Sequence, residues 1–214
     1  MRYYPIYLNL QDRPCSVIGG GRIAGGKVRG LLEAEAVVTV ISPELTADLK
    51  ALTDERKIAH IARAYQPGDL AGATLVISAT DDRAVNEQVW IEARARDIPI
   101  NVVDDPPHCT FIAPSIVRRG DLAIAISTGG KAPALAVRLR EQLEQSIGAE
   151  HARFLELAGQ LREPLAARYP DFEQRKAVWY RLVDADVLDL LRRGEEDTAR
   201  KRITEITGIA LRDF

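Results

Sequence analysis

Cysteine is scarce in this chain: Cys15 sits in an apolar run, Cys109 sits in a proline-rich loop, and the 214 residues contain no others. Two thiols so far apart fit neither a disulfide framework nor the close ligand spacing of a zinc site, and they read as free thiols of a reducing compartment. Histidine is rare too, and His60, His108 and His151 form no cluster of metal-site spacing, so no metal is expected. Neither sign of charge dominates. Lysine and arginine number 29 against 31 acidic residues, a formal net charge of -2, so nothing in the balance suggests a polyanion-binding surface and nucleic acid is an unexpected partner. No segment approaches the roughly 18 apolar residues that cross a bilayer. The opening MRYYPIYLNL also lacks the basic start and apolar core of a signal peptide. The expectation is a soluble, cytoplasmic protein with no membrane partner.

What is present is a globular composition, 46% hydrophobic and 28% charged, arranged in alternating periods. Residues 15–18 form a short apolar strand that runs into Gly19, Gly20 and Gly21, and residues 23–34 then repeat with helical spacing through Val28, Leu31 and Leu32. A β-branched run at 36–41 stops at Ser42 and Pro43, as a buried parallel strand does. Further strands are read at 58–62, 73–79 and 99–103, with a helix at 83–97, so the first part of the chain predicts a parallel sheet with helices on both faces. After Pro114 two strand-like runs, 115–118 and 122–127, flank the turn Arg119, Gly120, Asp121 and predict a hairpin or a bent pair. Gly129, Gly130 and Pro133 mark the entry to a helix with Leu135, Leu139 and Leu143 on one face. From His151 onward the pattern is helical, with Phe154, Leu157, Leu161 and Leu165 on one stripe, and Val178, Leu182, Val187, Leu190 and Leu191 on another.

Four places carry chemistry. Gly19, Gly21 and Ala24 fit a Gly-x-Gly-x-x-Ala dinucleotide turn between a strand and a helix, where glycine lets backbone approach a pyrophosphate and the helix N-terminus supplies donors. Such a triplet also serves as a purely structural turn. The second strand ends in Ser42, Pro43 and Glu44 with no immediate acidic residue, and Arg22 would suit a 2′-phosphate, so spacing alone does not choose between NAD and NADP. Thr80 and Asp81, at the end of the 73–79 strand, lie where a ribose and nicotinamide would sit. Asp104 and Asp105 end the 99–103 strand and would place a carboxylate base in the same crevice, or else start a turn ahead of two prolines. At most one of the two need be catalytic. Ser127, Thr128, Gly129, Gly130 and Lys131 form either an anion cradle for substrate carboxylates or an ordinary helix entry. His108 reads as a solvated loop histidine.

Four stretches together, PIYLNLQDRPCSVIGGGRIAGGK, VISATDD with a later VN, NVVDDP followed by FIAPS, and AISTGGKAPALA, resemble the precorrin-2 dehydrogenase family and the N-terminal half of siroheme synthase. The resemblance implies NAD-dependent oxidation of precorrin-2 to sirohydrochlorin, with Asp104 as the catalytic carboxylate. It places Arg22 and Ile23 at the pyrophosphate turn, Pro43 and Glu44 at the ribose, and Thr80, Asp81, Asn101 and Val102 around the nicotinamide. Ser127 and Thr128 fall beside the tetrapyrrole. It further implies a Rossmann domain at 1–112, a dimerisation segment at 113–148 that pairs two copies in a homodimer, and a helical domain at 149–214. Some relatives also insert ferrous iron into sirohydrochlorin. A nucleotide-sensing regulatory module without catalysis is the alternative from another functional class.

Overall fold

Short β-branched runs hidden on both sides make strands that pair in parallel, and the computed structural model, which describes residues 3–212, shows five of them. They are β1 (Pro14–Ile18), β2 (Val37–Ile41), β3 (Ile58–Ile61), β4 (Leu75–Ser78) and β5 (Ile100–Val102), in the order β3-β2-β1-β4-β5. Alternate side chains fill two cores. On one face Val17, Val38, Val40 and Ile77 pack with Val28 and Leu31 of α1 (Arg22–Leu32) and Leu49 of α2 (Ala47–Asp54). On the other, Ile18, Val76, Ile100 and Val102 pack with Val89 and Ala93 of α3 (Arg83–Ala95). Ala24, Val28 and Leu31 of α1 are buried at helical spacing, which explains why that helix lies flat on the sheet. This Rossmann-type layer is the one the sequence predicts. Helix α2 is an addition: it buries only Leu49 completely, too little apolar periodicity to stand out in the sequence.

The strand order reverses direction at β1, so the chain leaves β1 toward β2 on one side and returns to β4 on the other. Such a reversal opens a crevice at the carboxyl ends of the strands. Register aligns those ends: Ile18 pairs with Ile41 and Ser78, and Ser78 pairs with Val102. Gly19, Ala79 and Val103 continue the ladder, with Ala79 N donating to Ile18 O at 2.7 Å and Val103 N to Ser78 O at 2.9 Å.

Backbone contacts divide the chain into Met1–Ala113, which holds this sheet, and Pro114–Phe214. The second unit opens with an antiparallel hairpin, β6 (Ser115–Arg119) and β7 (Leu122–Ile126), turned by Gly120 at φ 55°. Five helices follow: α4 (Pro133–Ser146), α5 (Ala149–Arg168), α6 (Phe172–Val183), α7 (Val187–Arg192) and α8 (Glu196–Thr207). Leu157, Leu161 and Leu165 of α5 form the spine of their core with Val178, Leu182, Val187 and Ile203. Helix α4 departs from the expected pattern. Its only buried residue is Ala136, while Leu135 and Leu139 are 52% and 38% exposed. Among the described residues, no helix is long and apolar enough to cross a membrane.

Candidate functional site: a cleft at the strand ends

The glycine turn divides its labour unequally. Gly19 has φ 112°, and a methyl group there would sit 2.5 Å from the Ala79 carbonyl oxygen. At Gly20, which the sequence pattern treats as a free position, an added methyl would collide with the carbonyl oxygen of Glu44. These two glycines let three strand ends approach one another. Gly21 is different: a methyl there would meet no atom within 4 Å. It caps α1 with no side-chain acceptor, and the first turn carries no acidic residue. The first-turn amides thus have no side-chain cap and there is room beside Gly21, an arrangement that fits a dinucleotide pyrophosphate.

A cleft of about 600 Å³ extends from this turn across the ends of β4 and β5, lined by Ile23, Ala79, Thr80, Asp81, Arg83, Asn86, Glu87, Val103, Asp104, Asp105 and His108. Its floor is fixed by polar bonds. Asp82 caps α3 by accepting from Ala84 N and Val85 N at 2.9 and 3.2 Å. One turn on, Asn86 donates from Nδ2 to Thr80 O at 3.0 Å and accepts from the buried Ser78 hydroxyl at 2.6 Å. A polar residue one turn into a helix is a sequence signal for this clamp. Arg83, the first residue of α3, brings a cation to an otherwise acidic lining.

Asp104 has φ 59°, in the left-handed region that a non-glycine residue enters at a cost of about 1 kcal/mol or more. Among the described residues its carboxylate has no hydrogen-bond or ion-pair partner. Asp105 is engaged: its Oδ2 lies 2.7 Å from Nδ1 of His108, and its carbonyl accepts from His108 N at 3.0 Å. Geometry thus separates the two neighbouring carboxylates. His108 is not a solvated loop residue either, for its Nε2 lies 3.3 Å from Glu87 and its ring packs edge-on to Trp90 with centroids 4.8 Å apart.

The other sequence-predicted residues fall in several places. Gly19, Gly21, Arg22 and Ile23 surround the α1 end, and Thr80 and Asp81 line the cleft. Pro43 and Glu44 follow β2 and are exposed, with the Ser42 hydroxyl donating to Glu44 O at 2.8 Å to shape that turn. The side chains of Asn101 and Val102 do not line the cleft. Val102 is in the core, and Asn101 points its amide away, donating to Phe111 O at 3.1 Å, so Val103 and Asn86 take the places by the cavity. Ser127, Thr128, Gly129, Gly130 and Lys131 belong to the second unit, between β7 and α4. There the two hydroxyls close their own turn, accepting from Gly129 N at 3.1 Å and Ala132 N at 3.2 Å, and Gly129 and Gly130 have φ 62° and 80°. Both thiols are buried, and burial pushes Cys15 up to about 11.

Comparison with known proteins agrees with this architecture. Residues 6–115, just over half of the chain, match a family model described as "Putative NAD(P)-binding". Residues 119–146 match "Sirohaem biosynthesis protein central", and 150–206, which span α5 to α8, match "Sirohaem synthase dimerisation region". The chain is 44% identical to a siroheme synthase of Methylobacillus flagellatus and 41% identical to one of Thioalkalivibrio sulfidiphilus, over 96% and 100% of its own length. It spans 44% of the length of each. Among solved structures, "SirC, precorrin-2 dehydrogenase" superposes with a TM-score of 0.77 at 23% identity, covering 95% of this chain and all of that one, which shows a shared fold. A parallel sheet reversing at β1, a glycine turn open to a pyrophosphate, and a family model spanning both lead to one assignment: the chain belongs to the NAD(P)-binding family that this model describes.

Proposed function

We propose that this protein is an NAD-dependent dehydrogenase that oxidises precorrin-2 to sirohydrochlorin in siroheme biosynthesis. The observation that carries the reading is Asp104, an unpaired carboxylate held in a left-handed backbone at the rim of the cleft that begins at the glycine turn. The siroheme synthases and the precorrin-2 dehydrogenase to which the chain is similar support the choice of substrate.

In this reading Gly21, Arg22 and Ile23 hold the pyrophosphate, and Pro43 and Glu44 meet the adenosine ribose. Thr80 and Asp81 flank the nicotinamide, together with the backbone of Asn101 and Val102. NAD, when bound, supplies the acceptor for a hydride. Asp104 accepts the proton lost from the neighbouring macrocycle carbon, so two electrons and two hydrogens leave the substrate and one proton remains on the protein side. Ser127, Thr128, Gly129, Gly130 and Lys131 hold the carboxylates of the tetrapyrrole through hydroxyls, backbone donors and one cation. The division of labour follows: 1–112 for the dinucleotide, 113–148 for pairing two copies in a homodimer, and 149–214 as a helical domain, all working in the reducing cytoplasm where both thiols persist. A nucleotide sensor without chemistry has no use for an unpaired Asp104.

A second activity, insertion of ferrous iron into sirohydrochlorin, is favoured by the acidic lining of the same cleft, where Asp81 and Asp104 would attract a cation. Metal entry releases two pyrrole protons, one of which Asp104 would receive while the other passes to solvent. The test is anaerobic mixing of the protein with enzymatically made precorrin-2 and NAD, followed by addition of ferrous ion. One NADH per sirohydrochlorin supports the dehydrogenase, and a metal-dependent spectral change faster than without protein supports the chelatase. No NADH from active precorrin-2 overturns the main reading.

A further inference from the structure

We propose that His108 is a positioning residue, a strap between α3 and the loop that carries Asp104. This inference rests on the proposed dehydrogenase reading of that loop. His108 Nδ1 lies 2.7 Å from Asp105 Oδ2, and Nε2 lies 3.3 Å from Glu87 Oε2, one turn into α3. Trp90, also on α3, holds the ring edge-on. Both ring nitrogens therefore face carboxylate oxygens, one on the loop and one on α3. What it joins is specific. On one side is the helix whose first turn, through Asn86, fixes Thr80 and the cleft floor. On the other is Asp105, next to a residue that must stay in a left-handed backbone.

The loop is tied from within as well. Asp105 N donates to Val102 O at 3.2 Å, and the single hydrogen of the buried Cys109 thiol is shared between Val102 O at 3.1 Å and Asp105 O at 3.2 Å. Those bonds close residues 102–109 on themselves but do not attach them to α3, which the His108 side chain does. The strap also occupies the Asp105 carboxylate, leaving Asp104 as the free one. Without it, Asp105 becomes a second unpaired carboxylate beside Asp104, and the loop can shift against the cleft floor. Displacement of a reacting group by about 1 Å is enough to cost on the order of 100-fold in rate.

The experiment compares the whole protein with His108→Ala and His108→Asn, the latter keeping a donor near the Nδ1 position for Asp105. Three quantities are read: kcat and KM with precorrin-2, NAD affinity by titration, and amide hydrogen exchange across residues 102–109. His108→Ala should lower kcat about tenfold or more, leave NAD affinity within about twofold, and accelerate exchange in that segment. His108→Asn should recover part of both kcat and protection. Unchanged exchange in His108→Ala overturns the strap, and so does faster exchange with unchanged kcat. Loss of NAD affinity in step with kcat would make His108 a general structural residue, which also contradicts the proposal. An inactive wild-type protein would instead sink the dehydrogenase reading, and the exchange arm would still decide whether His108 ties the loop.

Discussion

Gly20 and Gly21 are adjacent and chemically identical, yet the surroundings give them opposite tasks. A methyl at Gly20 runs into the Glu44 carbonyl, a backbone atom that cannot step aside, whereas a methyl at Gly21 meets open space. Gly20→Ala should therefore destabilise the fold by about 1–3 kcal/mol, as overpacking does. Gly21→Ala should cost less than about 1 kcal/mol, the difference between glycine and alanine as a helix cap. Its effect should fall on NAD binding, where the methyl would occupy the approach of the pyrophosphate. Urea midpoints and NAD titrations of the two variants check this, and a Gly21→Ala protein that binds NAD normally would contradict the assignment of that turn. At this scale the sequence was only partly legible. Spacing named Gly19 and Gly21 but had no means to see Glu44 folding over Gly20. The family resemblance put Asn101 at the nicotinamide, but whether a strand-end side chain turns toward the cleft or toward Phe111 depends on a contact ten residues away.

Among the elements, strands buried on both faces were the easiest to read, because β1, β2 and β4 are near-continuous apolar runs bounded by turn residues. Helix α2 was hidden, since a helix that buries one residue has almost no periodic signature. Helix α4 shows the opposite case: Leu135 and Leu139 recur at helical spacing, yet they face outward in the single chain, with Val137 also exposed. Periodicity announces that a face is apolar but not whose surface covers it. If α4 contributes to the proposed homodimer, Leu139→Glu should convert a dimer into a monomer, read by light scattering on the eluting protein. A dimer unaffected by that change would move the interface to the region matched by the dimerisation model, residues 150–206.

For the molecule as a whole, the helical unit carries a titrating link that sequence could not supply. Burial pushes the Glu150 carboxyl up, but backbone amides and the Arg192 guanidinium, 3.0 Å away, outweigh it and hold the carboxyl below the usual range. A carboxyl whose folded pKa is depressed favours the fold when ionised. Its contribution is complete above the ordinary carboxylate pKa and is lost as pH falls through the depressed value. Glu196, held low chiefly by Arg153, acts in the same direction. Glu150→Gln should melt at a lower temperature than the wild type near pH 7, and the difference should shrink as pH falls below about 4. A constant difference across that range would show that the loss is one of packing alone. The two-unit organisation was visible in the change of period after Pro114, whereas pairings such as Glu150 with Arg192, 42 residues apart, arise only from the packing of α5 against α7.

The most direct test of the central claim is the rate of NADH formation from precorrin-2 by the wild type and by Asp104→Asn, measured anaerobically at saturating NAD. Stoichiometric NADH is expected with the wild type. Turnover at least about 100-fold slower is expected with the variant, the scale of losing a positioned proton acceptor, together with unchanged NAD affinity, since the proposed pyrophosphate site lies at the glycine turn. Equal rates in the two proteins would remove Asp104 from the chemistry and with it the reading of this cleft as a dehydrogenase site.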